Sequence, residues 1–154
     1  MSVDLEGLEP ESEPESSGGL GYVERVLAGP GISLVLMALV SLATWTGFQA
    51  GNVDPFVLQP PFYHAWWQLP LSVFAHSGMA HLSANATMVA VAGGIVVLFS
   101  SLLRYHLFFI TAGIASGVAQ VAATDTLGVA GGVLGASGAA LALVAYILTS
   151  NAAS

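Results

Sequence analysis

ISLVLMALVSLATWTGF, residues Ile32 to Phe48, runs seventeen positions without a charge. That is the short end of the roughly 17–25 apolar residues a helix needs to cross a bilayer. Three more stretches of the same kind follow: His81 to Leu103, Leu107 to Ala123 and Val129 to Leu148, with turn-forming residues around Asp125 and Gly128 before the last. Between the first and second, Gln49 to Pro70 holds Pro55, Pro60, Pro61 and Pro70 among Phe56, Phe62, Tyr63, Trp66 and Trp67. So many prolines exclude one straight helix, and aromatics at that density suit the headgroup region. The pattern predicts an all-α integral membrane bundle with about four spans.

Composition agrees. Of 154 residues, 55% are hydrophobic and 7% charged, against about a quarter charged in a soluble domain. So small a globule has no interior large enough for that apolar excess, and lipid must cover much of it. Seven of the nine acidic residues (Asp4, Glu6, Glu9, Glu11, Glu13, Glu15 and Glu24) precede Arg25. The Ser/Gly/Pro-containing head from Met1 to Leu20 therefore reads as a disordered acidic tail, taken to residue 24, with the membrane domain at 25–154. A secretory leader would begin positively charged and turn apolar at once, which this head does not do. Cysteine is absent, so disulfides and thiolate metal sites are excluded. No nucleic-acid partner is expected.

The only basic residues, Arg25 and Arg104, fall on the same side if the spans alternate. Positive charge favours the cytoplasmic side, so the N-terminus is expected there, in the plasma membrane, with the aromatic loop and the Asp125 turn outside. Gly113 with Gly117, Gly131 with Gly135, and the pair Gly93 and Gly94 are small residues of the kind that let membrane helices approach closely.

Two features could carry chemistry. The segment FAHSGMAHLSANATM, Phe74 to Met88, brings His76, His81 and Asn85 to the start of an apolar span. His81 and Asn85, four apart, share one helix face. Polar groups at membrane depth are costly unless paired or facing a wet cavity, which makes them functional candidates; the plainer reading is that the histidines snorkel to the interface. The second feature is Gly135-Ala136-Ser137-Gly138-Ala139 at the start of the last span. A serine there lies near unpaired N–H groups of a helix N-terminus, and the flanking Gly135 and Gly138 would let a substrate backbone approach. Its plainer reading is helix packing. Taken together, a hydroxyl with an Asn amide and an imidazole N–H supplies what acyl transfer requires: a nucleophile and donors for the oxyanion.

Trp67, His76, His81, Asn85 and then Gly135-x-Ser137-Gly138, in that order over roughly Ile32 to Ser150, resemble the rhomboid family of intramembrane serine proteases. That pattern has a Trp in the first loop, H-x4-H-x3-N on the second span and G-x-S-G at the serine. The resemblance implies Ser137 as nucleophile, His81 and Asn85 completing an oxyanion hole with the Ser137 N–H, and His76 in support. Gly135, Gly138 and Trp67 would be structural. It implies cleavage of transmembrane or membrane-adjacent protein segments, without metal or cofactor.

The chain departs from the pattern in four places. Gln68 stands where an Arg usually follows the loop Trp, Gly94 to Ser101 lacks the acidic residue often found there, and Leu141 replaces an aromatic four residues after the serine. The family's general base is a histidine on a later span, and none follows His106. A serine without a base is a poor nucleophile, so the chain is expected to be a truncated or inactive form, or a noncatalytic membrane protein that binds transmembrane helices. A histidine metal site is disfavoured: His76 and His81 are five apart, and Ser77 stands where H-E-x-x-H has Glu.

Overall fold

The computed structural model describes residues 20–52, 54–61, 64–128 and 131–152. Most of the acidic head expected as a tail therefore lies outside the described residues. The chain enters through α1 (Tyr22–Val26), which runs through a π-helical turn (Leu27–Gly31) into α2 (Ile32–Gln49), making one helix of 28 residues. Pro30 in that turn has no N–H to give the α-helical ladder, and the wider turn accommodates the missing bond. After a loop with a short 3-10 turn (Asp54–Phe56) come α3 (Gln68–Phe74), α4 (Met79–Phe99), α5 (Leu102–Thr126) and α6 (Ser137–Ala152). The helix Tyr22–Gln49, α4 and α5 are each long and apolar enough to cross a membrane, and α6 is a shorter apolar helix.

The helix faces are inverted relative to a soluble protein. On α2 the polar Ser33, Ser41 and Thr44 are buried, whereas Val35, Leu39 and Leu42 are exposed. On α4 Asn85 is buried and Val91, Leu98 and Phe99 point outward. This is the arrangement a hydrocarbon solvent selects: apolar groups face lipid at little cost, and polar groups need partners inside.

The interior is built from Met37, Val73, Phe74, Val89, Val97, Tyr105, Phe109, Ala139 and Leu143. The Phe109 ring lies 5.9 Å from Phe74 and 6.1 Å from Tyr105. Into this frame α6 enters as a wedge, packed against both α4 and α5, which touch one another much less. The close fit depends on small residues. A Cβ on Gly113 would lie 2.6 Å from a Val73 methyl, and one on Gly138 would overlap the Ser116 side chain.

Arg25 closes the end opposite the start of α6. Its Nε donates to the Val97 carbonyl at 2.8 Å and its guanidinium also reaches Ser100 O, capping the C-terminus of α4. The chain then turns at Ser100, and Ser101 caps α5 by accepting from the Arg104 N–H at 3.2 Å. Both arginines therefore stand at one end of the bundle, as the alternation of spans predicts.

Several expected bounds move. The first span begins ten residues earlier, because α1 and the π turn extend it; α4 stops at Phe99 rather than Leu103, and α5 extends beyond both expected ends. Helix α1 begins inside the stretch assigned to the tail. The largest change is in the last span: Val129 and Ala130 lie outside the described residues, and Gly131 to Ala136 is not helical, so the helix starts at Ser137. Gly131 and Gly135 are therefore not a helix-packing pair. Val133 instead exchanges two backbone bonds with Leu58 of the aromatic loop, at 2.9 and 3.0 Å, and Leu58 is fully buried.

Candidate active site

The site forms where α4 and α6 both begin. Ser137 is the first residue of α6 and is exposed, so it stands at the helix end where the first-turn amides have no intrahelical partner. The chain reaches it through Gly135, whose φ of +122° lies in a region that side chains disfavour. The Gly135 N–H donates to the Ser72 carbonyl at 2.8 Å.

The absent side chain of Gly135 marks a small space. A Cβ built there would lie 2.8 Å from His81 Nε2 and 3.6 Å from Asn85 Nδ2. The two side chains predicted to share a face of α4 thus converge on the residue two before the serine. His81 is half-buried, with Nδ1 3.3 Å from the Ser77 hydroxyl. Asn85 is 2% exposed, and its buried Nδ2 meets no acceptor among the described residues. An unpaired buried amide costs about 1–3 kcal/mol, so this nitrogen does not tie Asn85 to its surroundings.

His76 precedes α4 and is fully buried. Its ring packs edge-on against His81 at 5.0 Å. Nδ1 lies 3.0 Å from Ser41 Oγ and 3.1 Å from the Phe74 carbonyl, and Nε2 accepts from the Ala136 N–H at 3.4 Å. Burial first, and then the neighbouring His81, bring its pKa down to about 4, against the opposing pull of the Phe74 carbonyl. His76 is therefore neutral near pH 7.

Other expected residues stand elsewhere. Trp67 is 43% exposed at the start of α3, edge-on to Trp66 at 6.3 Å. With Pro60, Pro61 and His64 it lines a loop hollow of about 390 Å³ that contains none of the residues around Ser137. Gln68, in the position of the family's usual Arg, is buried, and its Oε1 accepts from the Gln59 N–H at 3.4 Å. Leu141 is 60% exposed. His106 binds the Ala28 carbonyl at 2.8 Å, at the Arg25 end. His64 thus stands in the loop hollow and His106 at the Arg25 end, and among the described residues no cluster of three His, Asp or Glu could hold a metal ion.

Sequence reasoning missed the residues that support the site. Ser41 and Trp45 come from α2, where they read as ordinary members of an apolar run, and Trp45 Nε1 donates to the His76 carbonyl at 2.8 Å. Trp45 and Phe48 also line, with Ser77, Gly78 and Met79, an apolar groove of about 550 Å³ beside the His81 end of the site.

A family model described as Rhomboid domain matches residues 63–153, more than half of the chain. No curated protein and no solved structure matches it.

Proposed function

The chain belongs to the rhomboid family and is an integral membrane protein, and from that premise we propose that it carries the nucleophile and oxyanion half of an intramembrane serine endopeptidase. Ser137 is the nucleophile. The observation that carries the reading is Asn85 Nδ2, buried and without an acceptor, converging with His81 Nε2 on the space beside Gly135. With the Ser77 hydroxyl donating to Nδ1, His81 presents an N–H at Nε2. Three donors, including the Ser137 amide, then face the charge that develops as the hydroxyl attacks a carbonyl. His76 supports the site through Ala136. The substrates are transmembrane or membrane-adjacent protein segments, and the apolar groove along Trp45, Phe48 and Met79 suits one of their side chains.

The half-site needs a base. His76 has its acceptor nitrogen committed to Ala136, His81 serves the oxyanion, and His64 and His106 are held elsewhere. A histidine from outside these groups must take the serine proton, so the chain by itself is inactive or nearly so. The same lack favours a second reading, in which the protein binds transmembrane helices without cutting them. The clustering of Arg25 and Arg104 at one end supports a cytoplasmic N-terminus, and the plasma membrane is the proposed location.

The two readings separate in a test that supplies the base. Protein in membranes is treated with a fluorophosphonate probe, with and without free imidazole. The protease reading expects imidazole to accelerate labelling of wild type, Ser137→Ala to abolish it, and Asn85→Ala to slow it about 100-fold or more, the usual cost of one oxyanion donor. Labelling that persists in Ser137→Ala removes Ser137 as nucleophile. No labelling at any imidazole concentration favours the binder.

A further inference from the structure

We infer that Ser41 and Trp45 of α2 are positioning residues, which hold His76 in the one tautomer and orientation able to grip the Ala136 amide and so set the turn that delivers Ser137. The inference rests on the reading of Ser137 as nucleophile.

The tautomer follows from the partners. Nδ1 faces the Phe74 carbonyl at 3.1 Å, and a carbonyl only accepts, so Nδ1 carries the proton. Ser41 completes a closed arrangement, its hydroxyl donating to Phe74 O at 3.3 Å while its oxygen accepts from Nδ1–H at 3.0 Å. Nε2 is then bare and receives the Ala136 N–H. Trp45 fixes the backbone of the same histidine by donating to its carbonyl. Without Ser41 the Nδ1 proton keeps only the Phe74 carbonyl; without Trp45 the His76 carbonyl loses its side-chain donor.

The effect on the serine is geometric. The Ala136 carbonyl receives the Ala140 N–H at 2.8 Å, so Ala136 acts as the N-cap of α6. Its own amide would point into the site unpaired. His76 takes that amide and Ser72 O takes the preceding one, from Gly135. Two successive N–H groups are thereby turned inward, and the next, on Ser137, is the first left for an oxyanion. An α2 residue in this way determines which amide of the serine turn is available, although it lies 96 positions before the nucleophile.

The test reads the latch and the chemistry separately. Full-length protein in lipid, labelled with 15N histidine, reports the His76 imidazole, assigned by comparison with His76→Gln; amide exchange reports Ala136. Wild type should show a protonated Nδ1, a bare Nε2 and a protected Ala136 amide. Ser41→Ala and Trp45→Phe should each speed Ala136 exchange about fivefold to tenfold, the worth of one hydrogen bond, and slow imidazole-assisted labelling of Ser137 by a similar factor. Ser41→Thr, which keeps the hydroxyl, should restore both. Unchanged Ala136 exchange in Ser41→Ala and Trp45→Phe overturns the inference while leaving Ser137 as nucleophile, as does faster exchange with labelling unaltered. Faster exchange with no labelling in any form, wild type included, supports the latch and counts against the nucleophile.

Discussion

Replacing Asn85 with leucine should raise stability and lower reactivity in the same molecule. Asn85 is 2% exposed, and its Nδ2 lies against no acceptor among the described residues. An amide in that state costs about 1–3 kcal/mol. Leucine has nearly the same outline with no polar atom, and the space ahead of Nδ2 admits a methyl, since even a Cβ added to Gly135 would lie 3.6 Å away. Allowing about 1 kcal/mol for imperfect repacking, Asn85→Leu should stabilise by up to about 2 kcal/mol. For a chain of this size that corresponds to a rise of up to about 8 °C in Tm. The measurement is thermal unfolding in a fixed detergent, followed by tryptophan fluorescence, with imidazole-assisted labelling of Ser137 on the same preparation. Labelling should fall about 100-fold or more. A structural asparagine would behave in the opposite way. Destabilisation by more than about 1 kcal/mol, whatever the labelling, would refute the claim that its donor is unspent.

Two further outcomes follow from the packing and the charge. Gly138→Ala puts a methyl into the Ser116 side chain and should destabilise by about 1–3 kcal/mol; adding Ser116→Gly should recover most of that loss in a double-mutant cycle of detergent unfolding, and simple additivity would show that the contact is not the cause. His76 has a pKa of about 4 when folded, below the usual 6.5, so the unfolded chain binds the extra proton between those values. The stability this histidine contributes is complete above about pH 6.5 and is lost as pH falls toward 4, by at most about 3 kcal/mol; His76→Gln should flatten the unfolding profile in that window, and an unchanged slope would refute the assignment.

The sequence was legible where a single residue type has a single physical use. Uncharged runs gave the spans, and the four-residue spacing of His81 and Asn85 gave a shared face, because both depend only on helix geometry and on lipid as solvent. The last helix was misjudged because Gly131 to Ala136 is as apolar as a span. What keeps it extended is not in its composition: Val133 pairs with Leu58, and Gly135 is anchored on Ser72, contacts across more than sixty residues of sequence. Ser41 and Trp45 were missed for a related reason. A serine and a tryptophan in a membrane helix are unremarkable by type, and only the fold shows that they face a buried histidine. Trp67 stands in the first loop, where the pattern put it, and is partly exposed.

The wedge position of α6 bears on biogenesis. Ribosomes release α4 and α5 before α6 exists, and those two helices have little contact of their own. Until α6 arrives, the slot bounded by Gly113 and Ser116 on one side and His81 on the other lies open to lipid. Helix α6 fills it, and the residue that begins that helix is Ser137. Insertion of α6 and formation of the Ser137 turn are therefore one event, so an intermediate that lacks α6 has no serine turn to expose to the nascent membrane proteins around it.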